Sequence, residues 1–557
     1  MELTEKPLRI LVIVNLPWDS RLGAARVWME LAEQWRALGH TVEKFTLSDA
    51  FPGVRATRVT FALRQLMFIG KAKAFVRQNA QRFDVIDALI GALPLSKEEL
   101  DFSGVIVARS VGFYGLYDRF DQSVAQRWPQ AARGKLAGRF LYRYTRRRFL
   151  RASERAVRSA DLINVPNEEE GNFLRKELGL ENVIVQPYGL TSDRRQALAA
   201  TAADGETRLA QRRVCFIGMW GARKGSYDWP HIIRRIRQDL PETRFRFLGT
   251  MLDAARIKAE LGEVAARDVE FISDFAPENL PALLADCTVG GFPSYVEGFG
   301  LAVIEQLAAG LPTVAYNVAG PRDILQTDFA DQLVASGDIE AFSKAIVRLL
   351  RLPPAAYDEL SKRSRQSVER FCWSQIARET IDEYQKLLDH STRPLVFVQP
   401  FSLGWAGGGA RILRALTARA PFAWRSVCTS PSKPKSWSDE IHLRSRPSWG
   451  KIEHSRMAAL PKATMRFFEK NFRRRLRRRC QQLKARAIHA VPHSGTDFAT
   501  AQQVARDLSL PFFLSLHDDL AYTSGSISKR RESAMQSAWR EAAACFVISN
   551  ALGQEYC

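Results

Sequence analysis

The stretch that decides the fold is PSYVEGFGLAVIEQLAAGLPTVAYNVAGPRDIL, residues 293–325. Its middle, residues 301–309, predicts a buried helix, because Gly310 follows at the position where a helix ends. β-rich runs at 288–292 and 313–316 flank this helix on both sides. A strand, a helix and a second strand in this order predict a parallel sheet covered by helices.

The same alternation of short β-rich runs and helical stretches extends along the chain. The first run is residues 8–15, followed by a glycine loop at Gly23 and a helix over 27–38. Residues 191–211 are polar and rich in Ala and Thr, which predicts a linker between two units. Two adjacent doubly wound units leave a cleft where the carboxyl ends of their strands meet, and open α/β sheets bind ligands there.

The pattern begins again near residue 393, where a strand-like run again precedes a glycine loop and a helix. The matched segments are GAARVWMEL (23–31) with GGARILRAL (408–416), and DLINVPN (161–167) with ACFVISN (544–550). No counterpart of residues 191–390 follows. We therefore expect 393–557 to be an incomplete second copy and the natural chain to continue as a tandem protein.

The composition excludes several classes of protein. With 557 residues and 46 % hydrophobic content, the chain has enough apolar surface for several domains with full cores. No apolar run approaches the roughly 18 residues that span a bilayer, and the start MELTEK lacks the apolar region of a signal peptide. Seven cysteines without a CxxC pair predict no structural metal site. We therefore expect a cytoplasmic protein.

The positive charge is concentrated in two segments. Residues 127–158 hold eleven Lys and Arg against Glu154, and residues 456–486 hold twelve against Glu469. Together they carry a net charge equal to the +21 of the whole chain. Three interpretations stay open, in descending order of preference: helices packed on a sheet with a solvated basic face, helices lying on an anionic membrane, and a nucleic-acid interface.

Two glutamates in the deciding stretch are candidates for ligand binding. Glu297 stands before the helix and Glu305 stands eight positions later within it, with Gly298 and Gly300 in between. Backbone N–H groups at a helix start attract phosphate, and carboxylates accept hydrogen bonds from hydroxyls. The arrangement predicts a site for a nucleotide diphosphate. The alternative is structural, with Glu297 capping the helix and Glu305 solvated on the surface.

A second candidate segment is FIGMWGARKGSYDWP, residues 216–230. A predicted strand ends in a glycine loop at Gly218, and Arg223 and Lys224 stand before Gly225. Cations held between glycines at the end of a strand can neutralise a phosphate. The alternative is a solvated turn.

Together, the two segments resemble glycosyltransferase family 4, whose members are retaining enzymes of the GT-B fold. The E-x7-E pattern with GFGL inside it, the GLPTVAY and GPRDI steps after it, and the RKG loop before it stand at the family's spacing. The resemblance covers residues 8–390. It implies an α/β architecture of two facing, doubly wound, Rossmann-like domains, followed by a third Rossmann-like domain resembling the first.

The resemblance also implies domain boundaries and residue roles. The boundaries are an acceptor-side domain over 1–190, a linker over 191–211, a nucleotide-sugar donor domain over 212–375, a helix crossing back over 376–392, and an incomplete second acceptor-type domain over 393–557.

The resemblance implies an acceptor or diphosphate loop at Gly23 and donor binding at Gly218. It implies that Lys224 and Arg223 stabilise the leaving phosphate and that Glu297 contacts the transferred hexose. It also implies that the backbone of Phe299, Gly300 and Leu301 binds the diphosphate and that Glu305 binds the ribose.

The sequence departs from the family pattern at two positions. The family usually has an arginine where this chain has Met219, and we expect Arg223 to replace its charge. The family often has a histidine in the acceptor domain where this chain has Val111, whereas the second copy keeps one, His517.

The predicted function is the transfer, with retention, of a hexose from a UDP- or GDP-linked sugar to a glycan or lipid-linked saccharide, in polysaccharide or cell-surface glycan synthesis. No cofactor and no bound metal are expected. The basic segments 127–158 and 456–486 would hold the enzyme at the inner face of an anionic membrane, and 393–557 would have no transferase activity of its own. The alternative, suggested by Met219 and Val111, is a catalytically degenerate GT-B protein that docks on anionic membrane or nucleic acid.

Overall fold

Three parallel β-sheets form the framework of the protein. The computed structural model describes residues 7–53, 58–128, 136–418, 420, 422–431, 440–445, 459–492, 496–516 and 529–547. The described strands form three six-stranded sheets, and their pairings are parallel. The chain divides into two compact units, Met1–Tyr384 with the first two sheets and Gln385–Cys557 with the third.

The first sheet has the strand order β2-β1-β3-β4-β5-β6. Its inner strands are buried runs of Val, Ile, Leu and Ala, as expected of parallel strands covered on both faces. The strands are β1 (Arg9–Val14), β2 (Thr41–Thr46), β3 (Val85–Leu89), β4 (Val105–Arg109), β5 (Leu162–Val165) and β6 (Val183–Val185). The helices are α1 (Gly23–Ala37), α2 (Leu47–Ala50), α3 (Arg58–Asn79), α4 (Lys97–Leu100), α5 (Tyr114–Arg127), α6 (Leu136–Ser159) and α7 (Glu168–Lys176).

The second sheet has the strand order β12-β11-β10-β7-β8-β9. The strands are β7 (Arg213–Ile217), β8 (Arg244–Leu248), β9 (Val269–Ile272), β10 (Val289–Phe292), β11 (Thr313–Tyr316) and β12 (Leu333–Val334). The helices are α8 (Ser192–Ala199), α9 (Gly205–Gln211), α10 (Trp229–Asp239), α11 (Ala254–Leu261), α12 (Leu280–Leu284), α13 (Leu301–Ala308), α14 (Pro321–Leu325), α15 (Ile339–Leu350), α16 (Pro354–Ser367) and α17 (Trp373–Thr392).

The third sheet has the strand order β15-β14-β13-β16-β17-β18. The strands are β13 (Leu395–Gln399), β14 (Trp424–Cys428), β15 (Glu440–His442), β16 (Ala487–Ala490), β17 (Phe512–Leu516) and β18 (Ala544–Val547). The helices are α18 (Gly408–Thr417), α19 (Ala459–Gln482), α20 (Asp497–Asp507) and α21 (Lys529–Glu541). The order β14-β13-β16-β17-β18 repeats the order β2-β1-β3-β4-β5, so the domain built on the third sheet is Rossmann-like and resembles the first, as predicted.

The helix α17 returns from the second sheet to the first. On α17, Tyr384 donates a hydrogen bond to Asp87 of β3 and accepts one from Arg109 of β4 at 3.0 Å. Arg109 and Asp87 are themselves a fully buried ion pair with a 2.8 Å contact. This helix therefore contacts the first sheet, and it begins at Trp373, slightly before the predicted range 376–392.

The two chain segments that join these sheets run side by side. Leu190 and Cys372 form an isolated parallel bridge, and the N–H of Leu190 donates to the carbonyl of Phe371 at 2.9 Å. The residues predicted as a linker, 191–211, form α8 and α9. The side chain of Thr191 caps α8, and that of Asp204 caps α9, both as N-caps.

The runs predicted as strands at 8–15, 288–292 and 313–316 form β1, β10 and β11. The edge strand β2 is not predicted, because its sequence TVEKFT has only two apolar residues, Val42 and Phe45, which are three positions apart and give neither an alternating pattern nor a continuous apolar run. In the second copy, β18 lies where predicted. Residues 548–550 of the matched segment, and His517, lie outside the described residues.

Candidate active site

One cavity brings the predicted site residues together. It has a volume of about 420 Å³ and lies between the carboxyl ends of the first and second sheets. Loops that follow β1, β4, β7, β8 and β10 line it. The predicted site residues in its lining are Gly23, Gly218, Arg223, Lys224, Glu297, Phe299, Gly300, Leu301 and Glu305.

Glu305 lies within α13 as a buried carboxylate. Its side chain is 5 % exposed, and Oε1 accepts hydrogen bonds from Arg26 Nη2 at 2.7 Å and from Arg194 Nη2 at 2.7 Å. Burial by itself would raise the pKa of Glu305, but the charges of the two arginines outweigh it and hold the pKa below its usual value. The alternative of a solvated surface glutamate is therefore wrong.

The two arginines around Glu305 were not among the predicted site residues. Arg26 lies on α1 and Arg194 on α8, and they stand 279 and 111 positions from Glu305 in the chain. Such distant pairings leave no local motif. The repeat does carry a signal for Arg26, because Arg411 stands at the same place in the second copy.

Glu297 and Lys224 form an ion pair at the other end of the E-x7-E pattern. Lys224 Nζ donates to Glu297 Oε2, and both side chains are 15 % exposed. Burial lowers the pKa of Lys224, and the charge of Glu297 opposes that effect. The helix α13 begins after Gly300 without a side-chain cap, so the alternative in which Glu297 caps the helix is wrong.

Two positions beside these glutamates need glycine. Gly300 has a φ of +98°, in the left-handed region that residues with a Cβ rarely adopt. A Cβ on Gly298 would lie 2.5 Å from the carbonyl oxygen of Val111. The backbone of Val111 is therefore in close contact with the loop between Glu297 and Glu305. Val111 is the position at which the resemblance leads one to expect a histidine.

Arg223 and Met219 line the same cavity. The guanidinium of Arg223 lies 4.7 Å from the ring centroid of Tyr117, within the range of a cation–π contact. The side chain of Met219 is half exposed. The two residues are thus near the same space, while the replacement of charge by Arg223 stays a prediction.

The charged residues that line the cavity are mostly basic. A surplus of positive charge in a cleft attracts anionic ligands such as a diphosphate. The five basic residues are Arg21, Arg26, Arg194, Arg223 and Lys224, and the three acidic ones are Asp274, Glu297 and Glu305. Arg21, in the loop after β1, also reaches Asp274 at 2.9 Å, so an ion pair joins the two sides of the cavity.

The predicted basic segments contribute the helices α6 and α19. On α19, Phe472, Leu476 and Cys480 are buried in the core beside the third sheet. The exposed arginines of α19 are Arg474, Arg475, Arg477, Arg478 and Arg479. On α6, Val157 is fully buried and Arg151 is exposed. Both helices are therefore packed by an apolar side and present a basic face, as in the first of the three interpretations.

In the part of the chain that the structure describes, no group of three or more His, Cys, Asp or Glu residues is arranged to hold a metal ion. None of the helices in that part is both long enough and apolar enough to cross a bilayer.

Part of the chain is similar in sequence to known glycosyltransferases. Residues 211–352 match the family described as "Glycosyl transferases group 1". The D-inositol 3-phosphate glycosyltransferase of Mycolicibacterium paratuberculosis is 29 % identical over 208 residues, which are 36 % of this chain and 45 % of that protein. The MMP alpha-(1->4)-mannosyltransferase of Mycolicibacterium hassiacum is 31 % identical over 186 residues, 33 % of this chain and 45 % of that protein. The chain thus spans about half the length of these curated relatives.

The structure is also similar to a solved one. The sucrose-phosphate synthase of Thermosynechococcus elongatus superposes with a TM-score of 0.54 at 20 % identity, over 68 % of this chain and 99 % of that chain. At this identity the likeness concerns the fold. The predicted fold class is confirmed: an α/β protein with two Rossmann-like domains in the GT-B arrangement, followed by a third Rossmann-like domain.

Proposed function

We propose that the cavity binds a nucleotide-diphosphate sugar and that the protein transfers the sugar to an acceptor hydroxyl. One observation carries this proposal: both glutamates of the E-x7-E pattern, Lys224 and the start of α13 line a single cavity. Glu297 and Glu305 differ in their partners, a lysine for the first and two arginines for the second. Different partners suit different roles for the two carboxylates.

The chemistry follows from where these groups lie. N–H groups in the first turn of α13 lack intrahelical acceptors, and a helix start favours negative charge, so Phe299 to Leu301 suit the diphosphate. Within the described residues, the side-chain hydrogen bonds of Glu305 are accepted by Oε1, and Oε2 is the oxygen we assign to the ribose hydroxyls. Lys224 and Arg223 would stabilise the leaving phosphate, a kind of contribution worth about 10²–10³ in rate.

The finer assignments belong to the same proposal. We infer that the transferred group is a hexose, that the donor is UDP- or GDP-linked, and that the configuration is retained. A mannosyltransferase among the similar proteins supports the hexose. The acceptor is proposed to be a glycan or a lipid-linked saccharide, bound on the side of the first sheet.

The experiment is a thermal-shift screen of UDP- and GDP-sugars, followed by turnover of those that bind. A donor at 100 times its dissociation constant should stabilise the protein by about 2.7 kcal/mol. Lys224→Ala should then lower turnover at least about tenfold, because a fixed charge at the leaving phosphate is lost. Lys258→Ala, at an exposed position of α11, is the matched control. Donor binding without hydrolysis or transfer would favour the degenerate binding protein, and no binding would refute the proposal.

Membrane association is a separate part of the proposal. The exposed arginines of α19 suit an anionic lipid surface, where each basic side chain contributes about 1 kcal/mol. The triple variant R474S/R477S/R478S should bind less to vesicles that contain anionic lipid, and Arg256→Ser, at an exposed site on α11, should not. Binding of the wild-type protein to DNA or RNA but not to anionic vesicles would contradict this part.

A further inference from the structure

A buried hydrogen-bond network joins the first sheet to the loop that carries Glu297. Its centre is Glu170, near the start of α7, with a side chain only 2 % exposed. Asn167, fully buried, is the N-cap of this helix, and its side-chain oxygen accepts from the N–H of Glu170 at 2.8 Å. Asn167 lies in the DLINVPN segment that the sequence repeat singles out.

The amide nitrogen of Asn167 reaches out of the first domain. Nδ2 donates to Oε1 of Glu170 at 3.2 Å and to the carbonyl oxygen of Gly298. An amide carries two N–H donors, so both bonds can form together. Gly298 directly follows Glu297, and the cap of α7 is therefore bonded to the loop between the two glutamates of the E-x7-E pattern.

Glu170 also fixes the loop after β4. Its Oε2 accepts from the hydroxyl of Ser110 at 2.5 Å, and the N–H of Phe113 donates to the same carboxyl group. This is the loop whose Val111 carbonyl packs against Gly298. One buried carboxyl group thus holds two of the structures of the first domain that contact Gly298, the loop after β4 and the cap of α7.

We propose that Asn167 and Glu170 are positioning residues for Glu297 and for the first N–H groups of α13. The inference rests on the proposed function for its chemistry. Neither residue lines the cavity of about 420 Å³, and Asn167 is linked to it through the Gly298 carbonyl. Glu170 and Glu297 both line a neighbouring cavity of about 350 Å³, and Glu170 reaches the loop of Glu297 through Asn167. Displacing a reacting group by about 1 Å can cost about 10²-fold in rate, which is why a buried anchor on this loop affects turnover.

The network uses the ionised form of Glu170. A carboxylate can accept the three hydrogen bonds that reach it, whereas a protonated carboxyl group turns one acceptor into a donor. Burial raises the pKa of Glu170 to about 7, although its three hydrogen bonds act in the opposite direction. The other titratable groups that face it are Glu169 on α7, Tyr117 on α5 and Tyr188 after β6, with Arg109 beyond Tyr188.

The first test measures the loop directly. Asn167→Ser keeps a good N-cap residue for α7 but is too short to reach Gly298. Backbone amides of residues 293–301 should exchange hydrogen faster in this variant than in the wild-type protein. The control is Asn164→Ser, since Asn164 is equally buried and its side-chain amide donates, among the described residues, to Gln186. Unchanged exchange in Asn167→Ser, or equal acceleration in both variants, overturns the inference.

The second test uses the donor sugar that stabilises the protein most in the thermal-shift screen. Asn167→Ser should lower kcat for donor turnover by about tenfold or more, with KM changed little, because Glu305 and the ribose side are untouched. The wild-type kcat should rise as pH increases through about 7, the pKa of Glu170. Glu170→Gln should remove that rise. Wild-type kcat and pH profile in both variants would overturn the inference.

The two proposals fail in different ways. If the wild-type protein binds none of the nucleotide sugars, the proposed function is wrong, and hydrogen exchange still decides whether Asn167 anchors the loop. If the wild-type protein turns over its donor and the variants do so equally well, the proposed function stands and the positioning role is wrong.

Discussion

The helices α1 and α18 have matching sequences and different surroundings. Val27 and Leu31 of α1 are 1 % and 0 % exposed, whereas their counterparts Ile412 and Leu416 in α18 are 37 % and 58 % exposed. Arg26 of α1 pairs with Glu305, but the counterpart Arg411 is exposed and its side chain pairs with none of the described residues.

This difference shows that the sequence of the helix is not sufficient to form the site. Both copies provide a strand, a glycine loop and a helix that carries an arginine in its first turn. Only in the first copy does a second sheet supply the carboxylate that gives the arginine its partner. The chemistry of the cavity is therefore a property of the pair of domains, and the variants below test that statement.

The largest effect is expected for Glu305→Ala. It leaves Arg26 and Arg194 buried without their partner, and losing one member of a buried ion pair costs about 3–5 kcal/mol. Urea unfolding should show this loss, and calorimetry should show that binding of the donor nucleotide is abolished. Glu242→Ala, at a largely exposed carboxylate, is the control and should leave both unchanged. Normal nucleotide binding by Glu305→Ala would remove it from the site.

The next effect separates the two helices by packing. Leu31→Ala should lower the free energy of unfolding by about 2–5 kcal/mol, because it opens a cavity in a full core. Leu416→Ala should change it by no more than about 0.5 kcal/mol, as is usual for exposed positions. Thermal unfolding of both variants is the measurement. A large loss in Leu416→Ala would mean that α18 is covered in solution.

A smaller effect is expected for Arg26→Ala, since Glu305 keeps Arg194. The loss should be about 1–3 kcal/mol, the usual cost of leaving a buried group without one partner, and Arg411→Ala should cost almost nothing. Because the folded-state pKa of Glu305 is held below its usual value, the contribution of the pair is present at neutral pH and is lost as pH falls through that pKa. The difference between the wild-type protein and Arg26→Ala should therefore shrink in acid. A constant difference would contradict the ion-pair explanation.

The smallest effect is expected for removal of the second copy. Deleting 393–557 leaves α17 and the ion pair of Arg109 with Asp87 intact, so donor turnover should change little. A deletion that starts at residue 373 also removes α17, and with it the hydrogen bonds of Tyr384, and should destabilise the first unit. Loss of turnover in a folded protein that lacks only 393–557 would show that the second copy takes part in the first site.

The sequence predicts those features that local patterns determine. Continuous apolar runs mark the buried strands, and the glycines and charges near Lys224 and Glu297 mark the cavity, because each signal lies within a few residues. The edge strand β2 is harder to detect, because only part of it is buried. A pattern of this kind is shared with exposed segments.

The partners of the site residues could not be predicted in the same way. Arg26 and Arg194 are 279 and 111 positions from Glu305 in the sequence and contact it only in the folded protein. Asn167 likewise bonds to Gly298 across 131 positions. Hydrogen bonds at such separations depend on the relative placement of two sheets. A single sequence contains no periodic signal for that placement.

The hydrogen bond between Leu190 and Phe371 joins the two segments that connect the first and second sheets. It has a consequence for the exchange of chain segments between related proteins. The second sheet and its helices therefore form an insertion in the first domain, and a hydrogen bond joins the two ends of this insertion. After the insertion, the chain returns to the first domain through α17. Insertions with adjoining ends are tolerated well, because the path of the host chain is not changed. We therefore expect residues 191–371 to be exchangeable as one segment. On the proposed function, an incoming segment has to keep a carboxylate opposite Arg26 for the donor site to be preserved.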